Sequence, residues 1–189
     1  IIRKFKLNNI SWIPSHPVAG TEKSGPMAGF SELFKNRWTI LSPESHVKKE
    51  DIKKISNFWE SIGSKVKIMS ITEHDQILSL TSHLPHVIAY NIVKTSMNHG
   101  DKQKNDIIRF SAGGLRDFTR IAASDPIMWK DIFIDNSELI INAIDKFVQN
   151  LTEFKNAIAE KDSKKLLDIF EKSKEFRKEI IKAGQDTNK

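Results

Sequence analysis

The sequence predicts a mainly α protein in which the end of an α/β domain precedes an all-helical domain. Within residues 1–70, short apolar alternations at 37–41 and 65–69 flank a segment whose apolar residues recur every three or four positions. Alternation is typical of strands, and the longer period is typical of a helix. From residue 71 onward the helical period dominates. We therefore expect an α/β segment at 1–70 and a separate helical domain at 71–189.

The α/β segment is expected to run strand, loop, strand, helix, strand. A short apolar run at 10–13 predicts the first strand. Three glycines and Pro26 make 19–29 a loop, and the helix over 47–62 ends where Gly63 can cap it. No G-x-G-x-x-G sequence follows a predicted strand in the 189 residues. The sequence therefore does not contain the loop that usually holds a dinucleotide pyrophosphate.

In the helical part, residues whose side chains accept from free amides mark the helix starts. Thr72 is expected to open a helix over 72–98, which Pro85 bends because it lacks a backbone donor. A polar connector is expected at 101–105, and Trp129 is expected in the core or in a pocket wall. Later helices are expected to begin at Asp125 before Pro126, at Asn136 or Ser137, and at Asp162 or Ser163.

Composition argues against several classes of protein. There is no cysteine, hence no disulfide and no thiolate metal site, which fits a cytoplasmic location. No apolar run approaches the roughly 18 residues that a membrane span needs. The net charge of +6 raises the question of nucleic acid. Basic and acidic residues alternate over 155–189, however, as on a solvated helical face. We expect neither a membrane nor a nucleic-acid partner.

The segment 111–131 concentrates candidate functional residues. Gly113 and Gly114 allow backbone conformations or close approaches that a Cβ would forbid. Arg116 and Arg120 are four positions apart, so on a helix they share one face, where guanidiniums suit a carboxylate or phosphate. The alternative is that both arginines pair with aspartates and only hold a helical corner together. The aspartates concerned are Asp117, Asp125 and Asp131.

Three histidines are also candidates for chemistry. His16 follows the first predicted strand and precedes the glycine-rich loop, a position where α/β domains place ligand-facing groups. It titrates near neutrality and can accept a proton. His83 and His86 lie three apart on one predicted helix face. A metal there would need further ligands, for which His74 and Asp75 are the nearest candidates. We favour hydrogen-bonded packing and expect no metal.

Three separated segments form an ordered set of motifs. They are His16-Pro17-Val18-Ala19-Gly20-Thr21-Glu22-Lys23-Ser24-Gly25, Ser82-His83-Leu84-Pro85-His86, and residues 111–131. In sequence and in order they resemble the prephenate dehydrogenase family, which includes arogenate and cyclohexadienyl dehydrogenases. The resemblance extends over essentially the whole chain, although the last helices match in pattern only.

The resemblance implies a fold and an activity. Residues 1–70 would be the end of a Rossmann-like nucleotide-binding domain, and 71–189 a helical domain for dimerisation and substrate binding. The activity implied is oxidative decarboxylation of prephenate or arogenate with NAD or NADP, in tyrosine biosynthesis. The chain is then expected to begin inside a longer protein and to be inactive alone. The alternative is a non-catalytic dimer that binds the aromatic acid.

The resemblance also implies particular residues. His16 would take the proton of the ring hydroxyl, and Arg120 would bind the ring carboxylate. Thr21, Glu22 and His86 match positions beside the substrate. Two further residues, Arg116 and Asp117, match positions that reach toward the neighbouring subunit's site, although lysine often stands at the first of them. The cofactor-binding residues are not assigned.

Overall fold

The computed structural model describes residues 10–20, 25–98 and 101–184. The chain forms two compact units, Ile1–Ile140 and Ile141–Lys189. The first unit contains a small sheet followed by helices, and the second is helical. The predicted fold class, mainly α with the end of an α/β domain first, is confirmed. The domain boundary expected near residue 70 falls inside the first unit and stays a prediction.

The sheet consists of β1 (Ser15–Val18), β2 (Trp38–Leu41) and β3 (Lys65–Ile68), in that spatial order. Strand β1 runs antiparallel to β2, whereas β3 runs parallel to β2 and follows helix α1 (Lys49–Ser61). The second and third strands and this helix lie where the sequence predicts them. Because β1 is an edge strand, it tolerates Pro17, which has no amide hydrogen to donate.

The first predicted strand is wrong in position. Residues 10–13 form no regular element, and the strand begins at Ser15, directly after Pro14. The residues of β1 are largely exposed, so pairing with β2 and not apolar burial defines this strand. An apolar pattern therefore could not locate it. His16 consequently lies within the edge strand, paired with Ile40, and not after the strand.

The core of the sheet region centres on β2. Leu41 and Thr39 are fully buried, and Ile40 is nearly so. Ser64 Oγ donates to the carbonyl oxygen of Arg37 at 2.9 Å, and it lies 2.7 Å from Thr39 Oγ1. A hydroxyl has one hydrogen to donate, so Thr39 donates to Ser64. Both buried hydroxyls therefore have partners, as buried polar groups require.

The long helix expected over 72–98 is interrupted. It consists of α2 (Ile71–Leu78), a π-helical turn (Ser79–His83) and α3 (Leu84–Met97). Pro85 is the second residue after the turn and has no amide hydrogen with which to continue the α-helical ladder. Wide turns of this kind are rare and often lie at functional sites. The predicted disturbance at Pro85 is confirmed, in the form of a π turn.

Side-chain caps open three of the described helices, with one shift from the prediction. Ser70 Oγ accepts from the amide of Glu73 at 3.1 Å, so Ser70 and not Thr72 caps α2. A serine three positions before a free amide reaches it directly, which places this helix start earlier in the sequence. Asp125 Oδ1 accepts from two backbone amides in the first turn of the helix that begins at Pro126, both at 2.9 Å, as predicted.

Three shorter helices complete most of the first unit: α4 (Asp101–Arg109), α5 (Gly113–Ile121) and α6 (Pro126–Asp135). The polar connector predicted at 101–105 is wrong, because these residues begin α4. Lysine and glutamine are good helix formers even where no apolar residue is present. Gly113 and Gly114 open α5, and a Cβ at Gly113 would meet only a guanidinium nitrogen of Arg116, at 3.9 Å, whereas one at Gly114 would meet no described atom within 4 Å. The described fold does not itself require glycine at these positions.

Two long helices end the described chain. Helix α7 (Ser137–Ala159) begins where the sequence predicts and extends into the second unit, which also holds α8 (Ser163–Lys182). Asp162 Oδ1 accepts from the amide of Lys165 at 2.9 Å, which confirms the predicted start of α8. The rings of Phe154 and Phe170 meet edge to face, with centroids 5.9 Å apart. None of the helices described is long and apolar enough to cross a membrane.

Candidate functional site

A cavity of about 220 Å³ lies between the sheet and the start of α2. Its lining includes His16 from β1, Ile40 and Ser42 from β2 and its end, and Ile71, His74 and Asp75 from α2. Apolar side chains therefore share the opening with titratable groups from two different elements. This composition is typical of a ligand site.

His16, His74 and Asp75 form a continuous hydrogen-bonded chain. Nδ1 of His16 lies 2.7 Å from Nε2 of His74. Nδ1 of His74 lies 2.7 Å from Oδ1 of Asp75. The two imidazole rings meet edge to face, with centroids 5.0 Å apart. A carboxylate is thus connected through one imidazole to a second imidazole that lines the cavity.

Asn136 braces the same region from the junction of α6 and α7. Its Nδ2 donates to the backbone oxygen of Asp75 at 3.2 Å and lies 3.2 Å from Nδ1 of His83. An amide nitrogen only donates, so Nδ1 of His83 accepts and its Nε2 carries the proton of the neutral ring. Asn136 therefore holds α2 and the π turn against the junction of α6 and α7.

His86 lies in the first turn of α3, beyond the π turn. Its Nδ1 lies 2.9 Å from the carbonyl oxygen of Ser82, and a carbonyl only accepts, so this nitrogen carries a proton. The ring stacks on the indole of Trp129. Trp129 is buried, as predicted, and its Nε1 is a buried donor with no hydrogen-bond partner among the described residues. His83 and Phe133 also contact the indole.

Desolvation lowers the pKa of three histidines in this region. For His16 it is the larger cause, and the nearby His74 is the smaller one. His16 keeps solvent access at its surface, yet surrounding protein atoms remove part of the hydration of its ring. Desolvation also dominates at His83 and His86, where a carboxylate and a carbonyl, respectively, oppose it. A lowered pKa favours the neutral imidazole, the form that can accept a proton.

The predicted anion-binding arginines lie on α5, which packs against α3. Arg116 and Arg120 are both exposed to solvent. Arg116 Nε lies 4.0 Å from Asp117 Oδ1, and the two side chains are 77% and 73% exposed. A pair so exposed adds little stability, so a structural corner does not explain Arg116. Of the other two aspartates, Asp125 caps α6, and Asp131 Oδ1 lies 2.9 Å from Lys130 Nζ.

The structure thus brings His16 together with α2 residues and brings α5 against the helix of His86. Thr21 and Glu22, the other predicted substrate contacts, lie outside the described residues. Within the described ranges, no group of three or more histidines, cysteines or acidic residues is placed to hold a metal ion.

Sequence reasoning missed the contacts that His74, Asp75 and Asn136 make around the cavity. The first two were weighed only as metal ligands, and the third only as a helix start. His74 is 58 positions from His16, and nothing in the local sequence signals that contact. The one available signal was a histidine followed directly by an aspartate at a predicted helix start.

The fold and the site define a class of protein in which the last strands of an α/β domain carry a cavity-lining histidine and a helical domain follows them. Comparison with known proteins identifies the family. The model of the prephenate dehydrogenase nucleotide-binding domain matches residues 2–68, and that of the prephenate dehydrogenase dimerization domain matches residues 70–172. The chain belongs to the prephenate dehydrogenase family, and the resemblance found in the sequence is confirmed.

Similar proteins with assigned activities include two bacterial dehydrogenases. Cyclohexadienyl dehydrogenase of Zymomonas mobilis is 44% identical over 165 residues, which is 87% of this chain and 56% of that protein. Prephenate dehydrogenase of Bacillus subtilis is 32% identical over 166 residues, 88% of this chain and 44% of that protein. The chain therefore spans about half the length of these relatives.

Solved structures show the same fold. Prephenate dehydrogenase of Aquifex aeolicus, in complex with hydroxyphenyl propionate and NAD+, superposes with a TM-score of 0.83 at 37% identity, over 89% of this chain and 58% of that one. Arogenate dehydrogenase of Synechocystis superposes with a TM-score of 0.79 over 90% of this chain and 62% of that one. At 20% identity, this second likeness concerns the fold alone.

Proposed function

We propose that this chain is part of an enzyme for the oxidative decarboxylation of prephenate or arogenate. The product would be 4-hydroxyphenylpyruvate or tyrosine, and the pathway tyrosine biosynthesis. The observation that carries the proposal is the cavity-lining His16, whose Nδ1 is bonded to His74. Membership of the prephenate dehydrogenase family supplies the reaction class.

In the proposed reaction, His16 is the general base. As the carbon that bears the ring hydroxyl loses a hydride, Nε2 of His16 takes the hydroxyl proton. The ring carboxylate then leaves as carbon dioxide, and its bonding electrons complete the aromatic ring. The proton returns to the ring oxygen, which becomes the phenol. The lowered pKa of His16 keeps the ring neutral and ready to accept.

The nicotinamide cofactor supplies the hydride acceptor when it is bound. Support for NAD comes from the nucleotide-binding domain match and from the Aquifex relative, which was solved with NAD+. The present sequence contains no G-x-G-x-x-G. Its described residues therefore offer no glycine-rich cradle for the pyrophosphate, and the choice between NAD and NADP is not assigned to any residue.

The substrate's ring carboxylate is proposed to bind Arg120, with His86 beside the ring. A guanidinium presents paired donors that match a carboxylate, and α5 carries it against the helix of His86. Thr21 and Glu22 are proposed to flank the same substrate. Arg116 and Asp117 are proposed to reach the partner subunit's site, which fits the exposure of both side chains.

A homodimer is part of the proposal. The helices and their ends expose many large apolar side chains, including Met97, Ile108 and Phe110 in the first unit and Leu151, Phe170 and Phe176 in the second. Exposed apolar area on this scale is typical of a surface that another subunit covers. The match to the family's dimerization domain supports the same conclusion. The location is proposed to be cytoplasmic.

The competing proposal is a dimer that binds the aromatic acid without redox chemistry. The two are separated by an assay of prephenate-dependent and arogenate-dependent reduction of NAD and NADP, in a form of the protein with a complete nucleotide-binding domain. Reduction coupled to carbon dioxide release with either substrate supports the enzyme. Saturable prephenate binding without reduction in any of the four combinations supports the binding module.

A further inference from the structure

The contacts of His16 specify where its proton lies. An ionised carboxylate accepts hydrogen bonds and cannot donate them, so Oδ1 of Asp75 takes the hydrogen on Nδ1 of His74. In a neutral His74, Nε2 is then unprotonated, and its lone pair accepts a hydrogen bond from Nδ1–H of His16. In the neutral ring of His16, Nε2 is therefore the unprotonated nitrogen, which can accept a proton. In both rings, the partner of one nitrogen determines the state of the other.

We propose that His74 and Asp75 are positioning residues, which hold His16 in the tautomer whose Nε2 accepts the substrate proton. The inference deepens the proposed function and rests on His16 being its base. Without these partners the ring would be free to turn and to carry its proton on Nε2, where it could not act as an acceptor. A carboxylate that orients a catalytic histidine in this way is known from serine hydrolases.

The structure holds this pair firmly in place. His74 is largely shielded, with 20% of its side chain exposed, whereas 41% of the Asp75 side chain is exposed. The Ser70 cap fixes the first turn of α2, and Nδ2 of Asn136 donates to the backbone oxygen of Asp75. The bonds on each side of His74 are both 2.7 Å long.

His74 and Asp75 are also placed to stabilise the positive charge that His16 acquires when it takes a proton. A proton gained at Nε2 makes His16 an imidazolium, whose Nδ1 still donates to His74. The Asp75 carboxylate stabilises that charge through the bridging ring. The other titratable groups near these hydrogen bonds are His83 and His86. The charges of Asp75, His74 and His16 all act on His83. Within the described part of the chain, Nδ1 of His83 is bonded to Asn136 and Nδ1 of His86 to Ser82, so the His74 contact is what orients His16.

The direct test is nitrogen-15 NMR of the 189-residue chain with labelled histidines, at a pH where the rings are neutral. Two-bond proton–nitrogen correlations distinguish a protonated from an unprotonated ring nitrogen. We expect His16 to carry its proton on Nδ1 in the wild type and to shift toward the Nε2–H form in His74→Phe. His46→Phe, which removes an exposed histidine, is the control and should leave the His16 signals unchanged. A wild-type His16 with its proton on Nε2 overturns the proposal.

A kinetic test uses the protein with a complete nucleotide-binding domain. His74→Phe should lower kcat roughly 10-fold to 100-fold, the range seen when a metal-binding histidine loses the hydrogen-bond partner that orients it, with little change in KM. His74→Gln should keep much more activity, because its amide oxygen can still accept from His16 Nδ1. Equal losses in the two variants would show that the hydrogen bond is not the cause.

The two tests separate this inference from the proposed function. If the protein reduces no cofactor with either substrate but His16 shows the Nδ1–H tautomer, the orientation of His16 by His74 and Asp75 stands, and the enzyme proposal fails together with the role of His16 as its base. If turnover is normal but His16 carries its proton on Nε2, the enzyme proposal stands and the positioning role of His74 and Asp75 fails. His74→Phe is checked for folding by its circular dichroism, and His74→Gln provides the second variant if the first does not fold.

Discussion

The imidazole of His86 lies flat against the indole of Trp129, with ring centroids 3.4 Å apart and ring planes inclined by only 20°. This contact joins α3 to α6. His86 cannot turn freely, because Nδ1 is bonded to the Ser82 carbonyl oxygen at 2.9 Å. The buried indole therefore determines where a proposed substrate-contact residue lies, so the stability and the function of this region are expected to depend on Trp129.

Trp129→Ala should destabilise the first unit substantially. Trp129 is 6% exposed, and replacing a buried tryptophan with alanine costs about 3–5 kcal/mol in unfolding free energy. Trp129→Phe should cost much less, because it keeps an aromatic surface for His86 and removes an indole N–H that has no partner among the described residues. Urea unfolding of the two variants measures the difference. Equal destabilisation would show that aromatic packing is not what Trp129 contributes.

His16→Asn should lower turnover far more than it weakens substrate binding. Proton acceptance occurs mainly in the transition state, and loss of a general base typically costs about 100-fold to 10,000-fold in rate. Turnover and KM are measured in the protein with a complete nucleotide-binding domain, with His46→Asn as the exposed-histidine control. A variant that keeps more than about a third of wild-type turnover would exclude His16 as the base.

The elements that the sequence predicted are those whose patterns are local. The alternation of β2, the period of α1 and the aspartates that cap α6 and α8 all lie within a few residues of the structure they specify. Strand β1 was misplaced because its residues are mostly exposed and their pairing partners in β2 are 20 to 26 positions away in the sequence. Apolar burial carries no information about such a strand.

The candidate site could likewise be predicted only as far as its features are local in the sequence. The histidine that lines the cavity could be proposed from the sequence, because its position beside a glycine-rich loop and its titration range are local properties. Its partners could not be, because the His16–His74 and Asn136–Asp75 contacts join residues 58 and 61 positions apart. Folding alone creates those contacts, and no spacing in the sequence reports them.

The unfolding free energy should fall as the pH is lowered from 7.5 to 5.5. His16, His83 and His86 have pKa values below their ordinary 6.5, chiefly because of desolvation. Below pH 6.5 the unfolded chain binds protons that the folded chain resists, so stability is lost as pH falls toward the lowered folded values. Above pH 6.5 both states are neutral at these positions and the contribution is fully present.

Thermal unfolding at several pH values tests this expectation. A chain of this size loses roughly 2–4 °C in Tm for each kcal/mol of stability lost. His86→Gln should show a smaller drop in Tm between pH 7.5 and 5.5 than the wild type, because one of the three desolvated imidazoles is gone. His46→Gln removes a ring that is 72% exposed and serves as the control. An unchanged drop in His86→Gln would contradict the assignment.

The chain should be a dimer at micromolar concentration. Large apolar side chains of the helices are exposed, among them Ile108, Phe110 and Phe176, and a stable helical interface of standard size would bury on the order of 1,600 Å². Light scattering over a dilution series gives the mass directly. Twice the 21.6 kDa of one chain is expected. A single-chain mass throughout the series would remove the dimer from the proposal.

The 189-residue chain should bind prephenate weakly and should not reduce NAD or NADP. Arg120 offers its guanidinium to a carboxylate whether or not the cofactor is present. The described residues contain no glycine turn between a strand and the N-terminus of the α-helix that directly follows it, which is the arrangement that holds a pyrophosphate. Arg120→Ala should weaken the residual binding roughly 10-fold to 150-fold, since a charge-assisted hydrogen bond contributes on the order of 1.5–3 kcal/mol. Arg109→Ala removes an exposed arginine from α4 and should bind like the wild type. Calorimetry with prephenate compares the three proteins: equal affinities would exclude Arg120 from the site, and turnover by the 189-residue chain alone would show that it needs no further nucleotide-binding segment.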